Sequence, residues 1–318
     1  MKEGEFVLSL DFELLWGVRD HATRDSYGKN ILGGRAAIPL MLERFERHGI
    51  EATWATVGAV FCGSRDELFD ALPPEELRPQ YSNPALSNYS YLDEIGPDEF
   101  QDPYYFGASL VETIAACPGQ EIATHTMSHF YCLEAGASIE SFAADLDAAC
   151  ELAATRGITM RSIVFPRNQF AASHLEVVRR KGFSRYRGTP DTWAYRPTPG
   201  RDQTLARRLL RLVDAHTGLL GPHLYRPESD NVPASHFLRP CSGRMAVFHP
   251  RHLSVIERAM TKAAQEGSGF HLWWHPHNFG HDTPANLVGL DRIIAHFLRL
   301  RDEYGMVSRP MAKSGAKP

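Results

Sequence analysis

Two short segments of this sequence carry polar side chains whose types and spacing suit metal-assisted hydrolysis. Asp11 and Glu13 lie two residues apart. In an extended strand such residues point to the same face, and both carboxylates can therefore reach one site. His125 and His129 lie four residues apart, which can place two imidazoles on one metal ion. Together, the two acids and the two histidines predict a site for a cation. One acid would bind the cation and the other would take a proton from water.

Spacing alone does not single out one histidine pair. The chain has 15 histidines, and pairs four residues apart also occur at 271/275 and 277/281. Two ordinary surface or core histidines are the alternative for each pair. His125 and His129 stand out because they follow an apolar segment, where a strand would end at a site. The apolar bulk around Asp11 and Glu13 favours a functional site in the same way, against a solvated strand end.

The elements that must position these residues follow an α/β rhythm. Apolar runs at 6–10 and 52–57 predict buried strands, and a helical stripe over 37–48 lies between them and ends at Gly49. Further strands are predicted at 121–124, 161–165 and 270–274, and helical patterns at 139–153, 253–263 and 287–298. This alternation predicts an α/β fold with a mostly parallel sheet or barrel.

The polar residues of interest all follow predicted strands. In open sheets and barrels of this kind, chemistry lies at the carboxyl ends of the strands. The acids at 11 and 13 follow the first strand, and the pair at 125 and 129 follows the third. We therefore expect them to meet the residues that end the fourth and the last strand at one rim, namely Arg167, Asn168, His275 and His277.

These residues resemble the motifs of a known family, the polysaccharide deacetylases of the NodB-homology type, or carbohydrate esterase family four. Segment 9–13, Ser-Leu-Asp-Phe-Glu, is similar to the family's Thr-Phe-Asp-Asp motif. Segment 125–129, His-Thr-Met-Ser-His, matches its His-Ser/Thr-x-x-His motif fully. Segment 52–58 resembles its Ala-Thr-Phe-Phe-x-x-Gly strand. The resemblance implies a distorted (β/α) barrel with irregular insertions, and a divergent, cytoplasmic branch of the family.

The resemblance also implies a division of roles around one divalent metal ion. Glu13, His125 and His129 would hold the ion, with Zn²⁺ expected first and Co²⁺, Mn²⁺ or Ni²⁺ as other candidates. Asp11 would be the general base. The metal carboxylate stands one residue later than is usual in the family, and Asp11 as the ligand stays the alternative.

Three further motifs match less closely. Arg167 would orient the base, although its proline precedes the arginine instead of following it. Asp191-Thr192-Trp193 is a shortened likeness of the motif whose aspartate holds the catalytic histidine and whose tryptophan lines the acyl pocket. Segment 273–277 stands in place of Leu-x-His, with His275 as the general acid and His277 as its rival. The expected substrate-binding residues are Trp193, Asn168, Trp274 and His277.

The expected reaction is removal of the N-acetyl group from an acetamido sugar. The carrier would be a nucleotide or a lipid, as in precursors of surface polysaccharide. A ring-opening amidohydrolase acting on a ureide or cyclic imide is one alternative, and an inactive sugar-binding barrel is another. Arginines in the stretch at about 194–245 could contact phosphates, and a solvated basic helix is the alternative interpretation of these arginines. These arginines are at 201, 207, 208, 211 and 226.

Composition sets the remaining limits. The 318 residues carry a formal charge of -4 without a basic face, and we expect no nucleic-acid partner. Five cysteines without a Cys-x-x-Cys predict free thiols, not disulfides. No apolar run of 18 residues occurs and the N-terminal run is short, which predicts a cytoplasmic protein without a membrane span. The oligomeric state is left open.

The domain organisation is expected to be simple. Residues 1–310 would form one catalytic domain. Proline-rich stretches at about 62–107 and 194–245 interrupt the α/β rhythm and are interpreted as insertions. The tail at 311–318 is expected to be disordered.

Overall fold

A parallel β-sheet lies at the centre of the computed structural model, which describes residues 3–316. Its order is β5-β4-β3-β2-β1-β7-β6, and all neighbouring strands in it run parallel. The sheet curls into a half-barrel, which confirms the predicted distorted (β/α) barrel. The strands are β1 (Glu5–Phe12), β2 (Ala52–Thr56), β3 (Gln120–Thr124), β4 (Ser162–Val164), β5 (Arg185–Arg187), β6 (His236–Phe237), β7 (Gly269–Trp274) and β8 (Val307–Arg309).

Strand β1 lies in the interior of the sheet, between β2 and β7. All eight of its residues are buried, as expected for a strand covered on both faces. On one side it pairs with β7, and on the other with β2 from Leu8 onward and with β8 over 5–7. Because these neighbours run parallel to β1, their carboxyl ends meet at the edge where Asp11 lies.

Helices connect the strands. They are α1 (Arg24–His48), α2 (Arg65–Ala71), α3 (Ala108–Ala116), α4 (Ile139–Thr155), α5 (Ala172–Arg180), α6 (Leu205–Thr217), α7 (His249–Glu266) and α8 (Thr283–Tyr304). The first insertion holds α2 and several short 3₁₀ turns, and the second holds α6 and β6. No helix among residues 3–316 is long and apolar enough to cross a membrane. All five cysteines are free thiols.

Helix α1 is longer than the 37–48 stripe predicts. It begins after Thr23, which forms a capping box with Ser26, and it ends at Gly49 in the left-handed conformation (φ 63°). Gly33 and Gly34 lie inside the helix because another segment crosses it closely there. A Cβ on Gly33 would lie 2.4 Å from the Gly280 carbonyl oxygen, and one on Gly34 would lie 2.6 Å from the His277 Cα. This contact fixes the turn at 276–281 that follows β7.

The chain after residue 310 is ordered, contrary to the expected disorder of the tail. Met311 is fully buried and its N–H donates to the Thr53 hydroxyl over 2.7 Å. The Ser314 hydroxyl and the Gly315 N–H donate to the carboxylate of Glu5. Residues 311–316 therefore dock on the amino-terminal end of the sheet, while residues 317–318 lie outside the described range.

Docking of this segment predicts a measurable contribution to stability. Met311→Ala removes a side chain buried with Val7, Ala55 and Val164, and we expect a loss of about 2 to 5 kcal/mol in the free energy of unfolding in urea. The control Leu205→Ala, at a side chain 82% exposed, should change it by less than about 0.5 kcal/mol. Equal effects of the two substitutions would mean that residues 311–316 do not pack as described.

Candidate metal centre and active site

Glu13, His125 and His129 form a buried cluster at the carboxyl ends of β1 and β3. The Glu13 Oε2 atom lies 3.4 Å from His125 Nε2 and 3.1 Å from His129 Nε2. The three ligand atoms all lie within 4.8 Å of one another, which is close enough to share one cation. Among the described residues, no other group of three or more histidine, cysteine, aspartate or glutamate side chains meets this distance condition.

Hydrogen bonds to Asp145 of α4 fix the loop that carries the two histidines. The Asp145 carboxylate accepts hydrogen bonds from the Met127 N–H over 2.6 Å and from the backbone and side chain of Ser128. Thr126 and His129 adopt left-handed φ angles of 66° and 58°. Such strain persists where surrounding contacts over-determine the backbone, and functional sites often show it. These bonds turn both imidazoles toward Glu13.

The donor set fits a divalent cation. The His125 Nδ1 atom lies 2.8 Å from the Val164 carbonyl oxygen, to which it must donate, and this leaves Nε2 as the ring nitrogen that faces Glu13. Burial lowers the pKa of His129 and favours its neutral form. Against the effect of burial, His275, His125 and His129 hold the pKa of Glu13 well below its usual value. One carboxylate with two imidazoles is a typical zinc ligand set.

Asp11 is held by Arg187 and not by Arg167. Both guanidinium nitrogens of Arg187 donate to the Asp11 oxygens, over 2.6 and 2.7 Å, and both side chains are buried. Against the effect of burial, this ion pair lowers the pKa of Asp11. Arg187 also lies over the Trp273 ring, with its Cζ 4.2 Å from the centroid. Asp11 is therefore an ionised carboxylate in a fixed orientation.

The expected contact between Arg167 and Asp11 is wrong because the turn at 166–168 directs this arginine elsewhere. Arg167 and Asn168 both adopt left-handed φ angles, 54° and 53°. As a result Arg167 pairs with Asp20 and lies over the Tyr131 ring at 4.3 Å. The Asn168 side-chain oxygen accepts a bond from Arg187 over 3.3 Å, which places Asn168 in contact with the base's partner.

A buried chain of hydrogen bonds supports Arg187 from behind. His271 Nδ1 lies 2.9 Å from the Val232 carbonyl oxygen and Nε2 lies 2.8 Å from the Ser9 hydroxyl. Burial, with the charge of Arg187, lowers the pKa of His271 to about 3, so the ring is neutral at physiological pH. The Ser9 hydroxyl can then donate to His271 while it accepts from Arg187 over 3.0 Å.

His275 faces both carboxylates. Its Nε2 atom lies 3.7 Å from Asp11 Oδ2 and 3.6 Å from Glu13 Oε1, and its side chain is 23% exposed. The other ring nitrogen lies 3.3 Å from the side-chain oxygen of Asn278. The expected partner, Asp191, is exposed and pairs with Arg196 over 3.2 Å. Asn278 therefore contacts His275 in the way that the resemblance implied for Asp191.

The rival histidine and the expected tryptophans lie in different surroundings. His277 is buried and stacks on His275 with ring centroids 5.0 Å apart. Burial and the neighbouring His275 lower the pKa of His277 to about 3. Trp274 is fully buried against Phe279, and its expected contact with substrate is wrong because its strand directs Trp273 to the open side instead. Trp193 is half exposed.

A cavity of about 430 Å³ opens beside this cluster. Asn168, Trp273 and His275 line its end at the catalytic cluster, and α6 with the chain around residues 234–239 forms its far wall. The cavity is of the size that small-molecule sites have. A substrate in it could contact His275 directly.

Sequence reasoning missed Arg187, Trp273 and Asn278. Arg187 lies in the three-residue strand β5, whose Arg-Tyr-Arg sequence gives no apolar run. Gly182 nevertheless marks the end of a helix before it, and a strand is due at that place in the α/β alternation. Trp273 lies in segment 273–277, but the sequence does not tell whether Trp273 or Trp274 faces the cavity. The register of β7 decides this.

Comparison with known proteins establishes the fold. No family model and no curated protein matches this chain. A Mycobacterium smegmatis protein named as a polysaccharide deacetylase superposes with a TM-score of 0.59 at 13% identity, over 98% of this chain and 88% of that chain. One from Pseudomonas aeruginosa PAO1, also named as a polysaccharide deacetylase, gives 0.55 at 12% identity, over 98% and 89%. The Puue allantoinase gives 0.55 at 12% identity, over 98% and 88%. The chain thus has the barrel fold of these deacetylases and this allantoinase.

The geometry predicts which acid binds metal. Glu13→Gln should weaken the binding of Zn²⁺ at least about a hundredfold, because the carboxylate between the two histidines is lost. Asp11→Asn should change it by less than about tenfold, because Arg187 and not the cation is the partner of Asp11. Isothermal titration of the metal-free proteins measures both affinities. A large loss with Asp11→Asn and none with Glu13→Gln would reverse the assignment.

Proposed function

We propose that this protein is a metal-dependent deacetylase that hydrolyses the N-acetyl group of an acetamido sugar. The observation that carries the proposal is the single rim on which the buried Glu13, His125 and His129 lie beside Asp11 and His275. A molecule that only bound sugar would need neither a base, nor a proton donor, nor a cation cluster at one point. The fold, shared with proteins named as polysaccharide deacetylases, supports this reaction class.

Glu13, His125 and His129 would hold the ion, with Zn²⁺ preferred for this donor set and Co²⁺, Mn²⁺ or Ni²⁺ as substitutes. A divalent ion bound there supplies Lewis acidity toward the amide carbonyl and toward water. The residues themselves supply orientation. The imidazole of His125 is fixed by the Val164 carbonyl, and Asp145 fixes the backbone between the two histidines.

Asp11 would act as the general base. Its lowered pKa keeps it ionised at neutral pH, and each of its oxygens retains a lone pair beyond the bond from Arg187. It can therefore accept a proton from the water that attacks the acetyl carbon. Arg187 would be a positioning residue, since it holds the carboxylate plane without facing the cavity.

His275 would give a proton to the departing nitrogen. An amine leaves poorly unless it is protonated, and a proton donor at this place is chemically required. Its Nε2 atom faces the carboxylates and its side chain lines the cavity, and Asn278 restrains the other nitrogen. Trp273, Asn168 and the half-exposed Trp193 would contact the sugar, whose carrier would be a nucleotide or a lipid of a surface-polysaccharide precursor.

The second candidate is ring-opening hydrolysis of a ureide or cyclic imide. It is favoured by the structural likeness to the Puue allantoinase, whose TM-score of 0.55 equals that of the Pseudomonas aeruginosa protein. Both reactions attack an amide carbonyl with the same groups. They differ in the product, because ring opening releases no acetate.

An assay of product release tests the proposal. The protein loaded with Zn²⁺, Co²⁺ or Mn²⁺ should release acetate from at least one of a panel of free, nucleotide-linked and prenyl-diphosphate-linked N-acetylhexosamines. Asp11→Asn should lower kcat by about a hundredfold to ten-thousandfold, whereas the matched control Asp191→Asn should retain activity. Ring opening of allantoin without acetate from any sugar would favour the second candidate. Neither product from a metal-loaded protein would contradict both.

The surroundings of the two histidines predict which one is the acid. His275→Gln should lower kcat at least about a hundredfold with little change in KM, because the proton donor is lost. His277→Gln should retain most of kcat in protein that is still folded, as judged by its thermal transition, because His277 faces the α1 contact and not the cavity. Full activity of His275→Gln together with inactive, folded His277→Gln would exchange the two assignments.

A further inference from the structure

The cavity beside the catalytic cluster has a strongly basic lining. Five arginines contribute to it, and none of the described residues that line it is acidic. These arginines are Arg167, Arg196, Arg208, Arg211 and Arg239. The far wall is therefore cationic although the chain as a whole carries a net charge of -4.

Two of these arginines are neutralised and three are not. Arg167 pairs with Asp20, and Arg196 pairs with Asp191. Arg208, Arg211 and Arg239 form no ion pair with a described carboxylate. Arg211 donates to the side-chain oxygen of Gln203 over 2.7 Å, and the Nε atom of Arg239 is buried without a hydrogen-bond partner.

Arg211 lies close enough to Arg208 and Arg239 to be repelled by both. Arg208 and Arg211 are three residues apart on α6, and residues at this spacing share one helix face. Burial lowers the pKa of Arg211, and the charges of Arg207, Arg208 and Arg239 lower it further, whereas Tyr195 opposes them. No carboxylate among the residues that the structure describes forms an ion pair with this group. A bound polyanion would supply a counter-charge and would satisfy the unpaired donors.

The neighbours of the arginines indicate the kind of anion. A carboxylate offers two oxygens and matches one guanidinium, whereas a diphosphate carries at least two charges over several oxygens and can engage three. The cavity also has apolar and aromatic surface from Leu212, Phe237 and Trp273, against which a carrier group or sugar ring can pack. His275 lines the same cavity, so an anion at the arginines would lie beside the catalytic cluster.

We propose that Arg208, Arg211 and Arg239 form a subsite for the diphosphate group of a diphosphate-linked sugar. The subsite deepens the proposed function and rests on it for the sugar, but its diphosphate affinity can be measured without turnover. The diphosphate would join the sugar to a nucleotide or to a lipid alcohol, and the arginines would recognise it in either compound.

Binding of two probes to the zinc-loaded protein tests the subsite. UDP and farnesyl diphosphate should bind in isothermal titration, whereas uridine and farnesol should bind at least tenfold more weakly. Arg208→Gln, Arg211→Gln and Arg239→Gln should each weaken diphosphate binding by about tenfold or more, as expected for lost charge-assisted hydrogen bonds. The matched control Arg226→Gln, an exposed arginine of the same insertion that does not line the cavity, should change it less than twofold.

The outcomes separate the subsite from the reaction. The subsite is wrong if neither diphosphate binds. It is also wrong if the diphosphates bind but the three substitutions leave their affinity unchanged, as would happen if the metal alone bound the probe. Arginine-dependent binding without acetate release from any sugar supports the subsite and counts against the deacetylase. Tighter binding of UDP than of farnesyl diphosphate identifies a nucleotide carrier and the reverse order a lipid carrier, and both support the subsite.

Discussion

The structure depends on the burial of two carboxylates, Asp11 and Glu13, at the end of the central strand. Both are about 3% exposed, and an unpaired buried charge costs several kcal/mol. Each therefore needs its own cationic partner. Arg187 neutralises Asp11 through two short hydrogen bonds. Glu13 meets the imidazoles of His125 and His129, and burial favours the neutral form of His129. A divalent ion would complete the charge balance of Glu13.

Much of the surrounding fold orients the groups that contact Asp11 and Glu13. Arg187 is aligned by Ser9, which is itself held by the neutral ring of His271. The histidine loop is aligned by Asp145, and the turn carrying His275 is pressed against α1 where glycines permit close approach. The groups that would perform chemistry thus lie on strand ends and tight turns, not on long mobile loops.

The sequence predicted the parts that depend on local pattern. The α/β alternation predicted the barrel, and the complete His-x-x-x-His motif with its preceding strand predicted the positions of His125 and His129. The partners of Asp11 and His275 were not predictable in this way. Arg187 is 176 positions from Asp11, and an ion pair over that separation leaves no periodic signal. The direction of the Arg167 side chain depends on the left-handed conformations of Arg167 and Asn168. The residue types around Pro166 do not predict these conformations. The tail at 311–316 was also misjudged, because its burial arises from the sheet end that receives it.

We propose separate roles for the two acids, with Glu13 toward the cation and Asp11 toward water. The most direct measurement is a crystal structure of the zinc-loaded protein with anomalous scattering at the zinc edge. We predict one zinc ion bound by Glu13, His125 and His129, with Asp11 still paired to Arg187. A zinc ion coordinated by Asp11, or one bound away from the two histidines, would contradict it.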